Sequence, residues 1–478
     1  MVDSKRQKMA RMFFLWVLLG AILLPPVNAL TAAPKKRVID EVLDILKSKK
    51  IITEDKYQEL KTRLEKEREE SLAEVKKAAE DASPVVAGYK KGFYLKTRDD
   101  AFKLKIGGRL NFDYRGPLGD TKQDNTFKLR RARLYMKGNV GKFLGFKLQE
   151  EFSSGATLKD AFTEARFNKS FRLKAGQFKT PFSLSAMSSS LWMDLPERPV
   201  CVDALAPYRD YGIMIQGDPF QGLAHYSAGL FNGTRENYSE TDGSKDVAGR
   251  VVFSPFQRSD NKFIKGFHVG GSFTYGRENM NLEHQRSAWW NKGTIKTPGG
   301  VTVYKLGNDV SQNGNRLRWG AEVYWNMGPF ALQGEWLQVT LDDLKGASGA
   351  KDDLTMKGGY ISTSYFITGE SQGMKHGAIS RVSPKRPFNW KKRQWGAWEI
   401  VARYDYLHLD SAFMDTDYAA GISGYTDEIW GITGGLNWWL NDMGLIRFSL
   451  SRYKFDDIIK DIGKDTEDLA LVRLQIVW

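Results

Sequence analysis

The chain is poor in cysteine, in histidine motifs and in long apolar runs, and each absence excludes a class of protein. Cys201 is the single cysteine among 478 residues, so no internal disulfide can form, and we interpret it as a small packed residue. The five histidines are scattered without H-E-x-x-H spacing, no G-x-S-x-G sequence occurs, and nothing marks two carboxylates as a catalytic pair. We therefore expect no enzyme, no metal site and no cofactor.

Long apolar runs are missing outside the N-terminus. The mean hydropathy is −0.45, which is too polar for a bundle of membrane-spanning helices. The one apolar stretch, residues 12–24, follows four basic residues and precedes Val27-Asn-Ala29, a sequence typical of signal peptide cleavage. We expect residues 1–29 to be a cleaved signal peptide, with an N-terminal anchor helix as the alternative.

In place of long apolar runs, the chain has segments of alternating apolar and polar residues, such as residues 102–114. Apolar and polar side chains alternate along this segment, and in a strand alternate side chains point to opposite faces. One face is therefore apolar and the other charged, and the same design returns many times down the chain. The sequence pattern predicts no second apolar layer that could pack on the apolar faces. Contact with membrane lipid is therefore the simplest way to bury them.

The repeated pattern predicts an all-β transmembrane barrel of about sixteen antiparallel strands in residues 93–478. Short connections such as 141–142 and 441–444 mark one end, and we place the long connections 277–313, 341–353, 368–393 and 408–427 on the outer side. Tryptophans near strand ends suit the two interfacial girdles. Residues 180–210 lack alternation, and such a loop could fold into the barrel as a constriction. The candidate strands are 101–115, 126–139, 143–153, 158–168, 171–179, 210–217, 222–231, 246–254, 266–276, 314–326, 329–340, 354–367, 394–407, 428–440, 444–455 and 467–478.

Residues 35–82 differ in kind. Their apolar residues recur at helical spacing between many Glu and Lys, and Thr53 suits an N-cap, which predicts a helical hairpin with a short coiled coil interrupted near Arg68. The segment resembles short helical hairpins that promote oligomerisation. We favour a self-associating periplasmic stalk over a solvated charged helix, with residues 83–92 as a linker to the barrel.

The net charge of +14 points to anionic partners. The expected export and the distribution of arginine along the strands argue against nucleic acid. Strand phase places a basic excess inside the barrel, including Lys105, Arg109, Arg131 and Arg133. Arg130 has the wrong phase unless a bulge lets it join Arg131. The other interpretation is that these arginines pair with carboxylates and brace the wall. Further inward positions are Lys103, Lys137, Glu164, Arg166, Arg172, Lys174, Arg316, Arg318, Glu399, Arg403, Asp405, Arg447 and Arg473.

Several segments resemble the phosphate-selective porin O/P family. They are FKLKIGGRLNFDY, FKLRRARLYMKG, LKAGQFKTPFSLS, WMDLPERPV, GAWEIVARYDY and the final LVRLQIVW, in family order from about residue 93 to Trp478. The resemblance implies a trimeric sixteen-stranded barrel with a constriction loop after the fifth strand.

The resemblance also implies residues that would bind anions. The matching positions are Arg109, Arg130, Arg131 and Arg198, with the loop hydroxyls Ser189 and Ser190. The chain departs from the family pattern at Ala186 and Leu191, where phosphate-binding members carry lysines, and at Thr163, where members carry an acidic residue. These departures put high phosphate affinity in question.

We therefore predict a passive outer-membrane channel for small inorganic anions, phosphate or related oxyanions and chloride, that assembles as a homotrimer in outer-membrane lipid. Two alternatives stay open. One is a weakly selective general porin, and the other is a structural envelope protein that contacts the cell wall through residues 35–82.

Overall fold

The computed structural model describes residues 38–82, 84–90, 92–119, 122–238, 243–277, 293–421 and 424–478, and the predicted signal peptide lies outside these ranges. The chain forms two compact units that divide between Val86 and Ala87. No helix among the described residues is long and apolar enough to cross a membrane.

The first unit contains two helices, α1 (Val38–Ser48) and α2 (Glu54–Ala82). The Lys56 N–H donates to Thr53 Oγ1 at 3.4 Å, so Thr53 caps α2 as predicted. The Tyr57 hydroxyl donates to Asp44 at 2.7 Å and joins the two helices. The predicted helical hairpin is present, and α2 runs without a break through Arg68.

Sixteen antiparallel strands form the second unit. They close into a barrel because the last strand pairs with the first, with Val477 opposite Arg109 and Leu469 opposite Pro117. The predicted fold class is confirmed. The strands are β1 (Lys103–Pro117), β2 (Thr126–Val140), β3 (Leu144–Glu151), β4 (Thr157–Arg166), β5 (Arg172–Lys179), β6 (Arg209–Gly217), β7 (Ala224–Phe231), β8 (Asp246–Phe253), β9 (Gly266–Arg277), β10 (Asn315–Met327), β11 (Phe330–Lys345), β12 (Lys351–Phe366), β13 (Ala397–Leu409), β14 (Glu428–Trp439), β15 (Gly444–Ile459) and β16 (Lys464–Val477).

Smaller strands lie outside the barrel wall. Phe93–Thr97 pairs with the start of β1, and Thr294–Lys296 pairs with Thr302–Lys305 in a loop. Four further short strands among the described residues are Val85–Tyr89, Ser311–Gln312, Met374–Lys375 and Ala378–Ile379, and Ser311–Gln312 pairs with the end of β11.

The alternation in the strands separates a lipid-facing surface from a polar interior. Leu110 and Phe112 on β1 expose 40% and 46% of their surface on the outside, whereas Asn111 between them is fully buried inside. On β16, Leu474 exposes 41% and the adjacent inward Arg473 exposes none. Apolar side chains on the outside favour lipid contact, and polar ones line the interior.

Two expectations about the connections are wrong. Residues 368–393 were placed with the outer loops, but the structure puts the connection 367–396 at the end that carries the short turns 141–143, 328–329 and 440–443. Strict antiparallel pairing decides this, because successive connections must alternate between the two ends. The predicted loop 341–353 also shrinks to residues 346–350, since β11 and β12 continue past Leu341 after a register shift.

One side of the barrel interior is filled by apolar side chains. The inward residues Leu337, Val339 and Leu341 of β11 are apolar, and loops 180–208, 293–310 and 410–421 pack on this wall. The buried cluster includes Phe182, Cys201, Val303, Tyr304, Phe413 and Phe455. Open space in the interior is therefore concentrated along the wall formed by β1 to β6.

Candidate pore constriction

Residues 180–208 connect β5 to β6 and fold into the barrel, as the lack of alternation predicted. This constriction loop carries two short helices, α3 (Leu184–Met187) and α4 (Val200–Leu205). Ser183 has a φ of 64° and its side chain accepts a hydrogen bond from the Ala186 N–H, which caps α3. Most residues of the loop are buried.

Glu335 on β11 holds the start of α3. Its carboxylate accepts hydrogen bonds from the Leu184 and Ser185 N–H groups at 2.8 and 2.7 Å, and from the Tyr360 hydroxyl at 2.7 Å. The first N–H groups of a helix have no partner within the helix, so the buried carboxylate satisfies them and fixes the loop to the wall.

Arginines from the last strands hold the backbone of the same loop. Arg403 donates to the Glu197 carbonyl at 2.9 Å, Arg447 donates to the Met193 carbonyl at 2.6 Å, and Arg473 donates to the Pro196 carbonyl. The strand phase correctly places these three arginines inside the barrel. Each arginine thus commits at least one donor to the loop backbone, and Arg403 and Arg473 also pair with Asp405 and Asp113 of the wall, which agrees with the bracing interpretation for this part of the interior.

The Glu197 carboxylate joins the loop to the opposite wall. It accepts from Arg130 at 2.7 and 3.1 Å, from Arg115 at 3.0 Å and from Arg473 at 2.6 Å. Burial alone would raise the pKa of Glu197, but the positive charges around it, above all that of Arg130, hold this pKa well below its ordinary value. The side chain is therefore an anion at neutral pH.

Arg130 reaches this position through a bulge in β2. Asn111 pairs with Arg131 and the next residue, Phe112, pairs with Leu129, so Arg130 is the extra residue. The bulge lets two successive arginines turn inward, which is the condition that the sequence set for Arg130.

Beside the loop lies a cavity of about 710 Å³. All eight residues proposed from the sequence line it: Lys105, Arg109, Arg130, Arg131, Arg133, Ser189, Ser190 and Arg198. Among the described residues the lining holds fourteen lysines and arginines against three carboxylates, so its charge is strongly positive. The other basic lining residues are Lys137, Lys147, Lys159, Lys174, Lys179, Arg209, Arg235 and Arg381.

The three carboxylates are already engaged. Asp160 pairs with Arg209 at 2.7 Å and with Lys147, Glu236 pairs with Lys159, and the Tyr208 hydroxyl donates to Asp203. Asp160 and Glu236 are thus neutralised by basic residues of the lining, Asp203 is held by a tyrosine hydroxyl, and the basic residues in excess leave a net positive wall.

Three arginines face the cavity with no carboxylate oxygen within 4 Å in the part of the chain that the structure describes. Arg109 donates to Ser190 Oγ at 2.9 Å, and Arg198 donates to the carbonyls of Ser185 and Ser188 at 3.0 and 3.1 Å. Arg131 is buried, and no described residue accepts a hydrogen bond from its Nε and Nη1 atoms. A buried guanidinium with unused donors is costly unless an anion or water meets it.

The other predicted residues have more local partners. Arg133 pairs with Glu151 at 2.5 Å, and the Lys105 ammonium donates to the Lys90 carbonyl at 2.8 Å. Ser189 accepts from the Leu191 N–H at 3.3 Å. Arg316 and Arg318 lie away from the cavity and pair with Asp246 at 2.9 and 3.7 Å.

Several basic residues of the cavity are not among those predicted from the sequence. Lys147 has the inward phase of β3 and could have been found from it. Lys179 ends β5, and its ammonium donates to the carbonyls of Ala186, Met187 and Ser188 at 2.6 to 2.9 Å. Arg381 comes from the connection 367–396, which alternation could not place inside the barrel.

A second cavity of about 400 Å³ adjoins the first toward the loop-rich end. The two share Arg130, Asp203, Tyr208 and Arg235 as lining residues. Its wall adds Arg115, Lys128 and Lys296. The basic lining thus continues from the constriction toward that end of the barrel.

A closed barrel of sixteen strands that is narrowed by an inward loop is the architecture of outer-membrane porins. Two solved structures share this fold. OmpT of Vibrio cholerae (trimer form) matches with a TM-score of 0.50 at 9% identity, over 79% of this chain and 100% of that chain. OmpF of Salmonella typhi matches with a TM-score of 0.50 at 10% identity, over 82% of this chain and 100% of that chain.

Sequence comparison defines the family. The family profile described as "Phosphate-selective porin O and P" matches residues 102–478. Porin O of Pseudomonas aeruginosa is 30% identical over 432 residues, which is 83% of this chain and 93% of that protein. The chain belongs to the phosphate-selective porin O and P family, as its motifs predicted, and is an outer-membrane channel.

Proposed function

We propose that the channel passes small anions, phosphate or related oxyanions and chloride, through the cavity beside the constriction loop. The observation that carries this proposal is the fourteen-to-three excess of basic over acidic side chains in the cavity lining. A confined wall of one charge sign concentrates ions of the opposite sign and repels the others.

Arg109, Arg131 and Arg198 are the residues that we expect to meet the anion most directly. Their guanidinium groups stay charged and present planar pairs of N–H donors, which match oxyanions. The Nε and Nη1 donors of Arg131, which no described residue accepts, support this role. Arg130, Arg133, Lys105, Ser189 and Ser190 would shape the field and supply hydroxyl contacts around them.

The channel should transport anions rather than hold them tightly, because carboxylates pair with part of the basic residues. Glu197, Glu151 and Asp160 each take part of the basic set, so the positive field is spread over the lining instead of gathered at one unshielded site. Entry and release both stay fast when an ion meets several modest sites.

Phosphate block of chloride current tests the proposal. The refolded protein would be inserted in a planar bilayer in potassium chloride at neutral pH, and phosphate added at fixed ionic strength. We expect the chloride current to fall as phosphate competes for the arginines, and to fall less in Arg131→Ala. A chloride current that phosphate leaves unchanged would favour the weakly selective general porin.

We also propose a homotrimer in outer-membrane lipid, supported by the porin fold and the family. The domain limits and the cell-wall contact of residues 35–82 stay predictions from the sequence. Crosslinking of the full chain in native outer membranes, followed by denaturing electrophoresis, tests the trimer: a ladder that ends at three chains is expected.

A further inference from the structure

The connection 367–396 ends in a small hairpin that is rich in basic and aromatic residues. We call residues 386–396, RPFNWKKRQWG, the rim hairpin. Asn389 and Gln394 exchange backbone hydrogen bonds of 2.9 and 3.0 Å, and the Asn389 side chain accepts from the Lys392 N–H at 3.0 Å. The tip, residues 390–393, is therefore a closed turn with defined geometry.

The rim hairpin is fixed to the lipid-facing surface of the barrel. Trp398 and Trp438 are paired across β13 and β14 and stack with ring centroids 5.1 Å apart. They share the outward phase of Ile400 and Ile432, which expose 47% and 55% of their surface. These two indoles thus belong to the aromatic girdle at this end of the barrel.

The contacts to this girdle are specific. Phe388 packs edge-on against Trp438 with centroids 5.6 Å apart, and its N–H donates to the Leu440 carbonyl at 2.6 Å. Trp438 Nε1 donates to the Trp395 carbonyl at 2.6 Å. Gly396 permits the close approach to the strand, because a Cβ there would lie 2.3 Å from the Trp439 carbonyl oxygen.

The tip leaves its apolar and charged groups uncovered. Trp390 exposes 73% of its surface and Trp395 exposes 53%. Lys391, Lys392 and Arg393 are all exposed, and no carboxylate oxygen of the described residues lies within 4 Å of their charged nitrogens. Indole rings beside unpaired cations, at the level of a girdle, match the border between hydrocarbon and phosphate groups.

The strand order identifies the leaflet. The rim hairpin lies at the end where β1 begins and β16 ends, together with the short turns 141–143 and 328–329. Short turns mark the periplasmic end of an outer-membrane barrel. The phospholipid headgroups nearest to the tip are therefore those of the periplasmic leaflet.

We infer that the rim hairpin is a binding site for anionic phospholipids of the periplasmic leaflet. Trp390 and Trp395 lie against the upper acyl chains, and Lys391, Lys392 and Arg393 contact the negatively charged headgroup. Clustered lysines and arginines next to a membrane attract anionic lipid, and the attraction weakens as salt screens it.

Native mass spectrometry of the full-length protein tests this site. The protein would be held in micelles doped with equal amounts of phosphatidylglycerol and phosphatidylethanolamine that have identical acyl chains, and the retained lipids counted. We expect preferential retention of phosphatidylglycerol, reduced roughly fivefold or more in the variant K391Q/K392Q/R393N. Asparagine is chosen at Arg393 because this residue has a φ of 51°, which asparagine tolerates.

A matched variant removes the same charge at the other rim. K122Q/K460Q/K464Q changes three exposed lysines at the loop-rich end and should keep the preference for phosphatidylglycerol. A second variant, W390A/W395A, should lower the retention of both lipids without changing their ratio. The inference would be overturned if the wild-type protein and K391Q/K392Q/R393N retained phosphatidylglycerol equally. It would also be overturned if K391Q/K392Q/R393N and K122Q/K460Q/K464Q lost the preference for phosphatidylglycerol to the same extent. None of these readouts depends on ion conduction, so they stand apart from the proposed channel function.

Discussion

Arg130 and Glu197 form a two-pronged ion pair, with Arg130 Nε 2.7 Å from Glu197 Oε1 and Nη2 3.1 Å from Oε2. Arg130 is the extra residue of the β2 bulge, and Glu197 belongs to the constriction loop. The bulge thus ties the loop to the wall that carries the open cavity. Through this ion pair, the bulge in β2 helps to fix the position of the constriction loop and so the width of the passage.

Glu197→Gln should loosen this connection. The change removes the negative charge that the buried guanidinium groups of Arg115 and Arg473 share with the half-buried one of Arg130, and we expect the free energy of unfolding to fall by about 3 kcal/mol. Denaturation in urea, followed by circular dichroism, measures this loss. Asp457→Asn, at an exposed carboxylate of β15, is the control and should leave the stability unchanged.

The Glu197 pair also predicts a dependence of stability on pH. The pKa of Glu197 is lower in the folded protein than in the unfolded chain, so its contribution is fully present above the unfolded value and is lost as the pH falls. Wild-type stability should drop from about pH 5 downward, and Glu197→Gln should flatten this drop. Parallel curves for the two proteins would assign the acid sensitivity to other groups.

Glu335→Ala should release the start of α3. Two buried N–H groups lose their acceptor, which costs about 2 kcal/mol or more. We expect lower thermal stability and noisier single-channel current, because the loop that narrows the passage gains freedom. Quiet current with wild-type stability would show that the loop is held by its other contacts alone.

Cys201 should be inert in the folded protein. It is fully buried in the apolar cluster beside β12, and burial raises the pKa of its thiol well above the ordinary value. A maleimide at pH 8 should label the unfolded chain fully and the folded barrel hardly at all. Because the chain has a single cysteine, the extent of labelling reports this site without ambiguity.

Alternation predicted the barrel well because its physical cause is local. Leu110 faces lipid and Asn111 faces the interior wherever the strand lies in the barrel, so the phase of each strand could be read from neighbouring residues. Strand phase likewise showed that Arg130 needs a bulge to face the interior, but whether the bulge exists depends on the pairing with β1.

The interior packing could not be predicted in the same way. Arg447 and Arg109 both have an inward phase, yet Arg447 donates to loop carbonyls while Arg109 lines the cavity. The difference depends on where the loops fold, and contacts between residues distant in sequence decide that. The connection 367–396 was misplaced for a related reason, since its length suggested an outer loop.

Arg109→Ala and Arg131→Ala should reduce the preference for anions. Each removes a cation that faces the cavity with no carboxylate oxygen of the described residues within 4 Å, so the positive field weakens where the passage is narrow. Arg452→Ala is the matched control, because Arg452 is exposed on β15 and pairs with Asp468 away from the cavity. Unchanged ion selectivity in all three variants would confine Arg109 and Arg131 to a structural role.

The preference of the pore for anions is measured by the reversal potential of the wild-type channel in a tenfold gradient of potassium chloride. A passage with a net basic lining conducts chloride better than potassium, so the reversal potential should have the sign expected for chloride permeation. The magnitude of this potential should fall at high salt, because salt screens the basic lining. A reversal potential near zero, or one of the sign expected for potassium permeation, would show that the passage does not prefer anions.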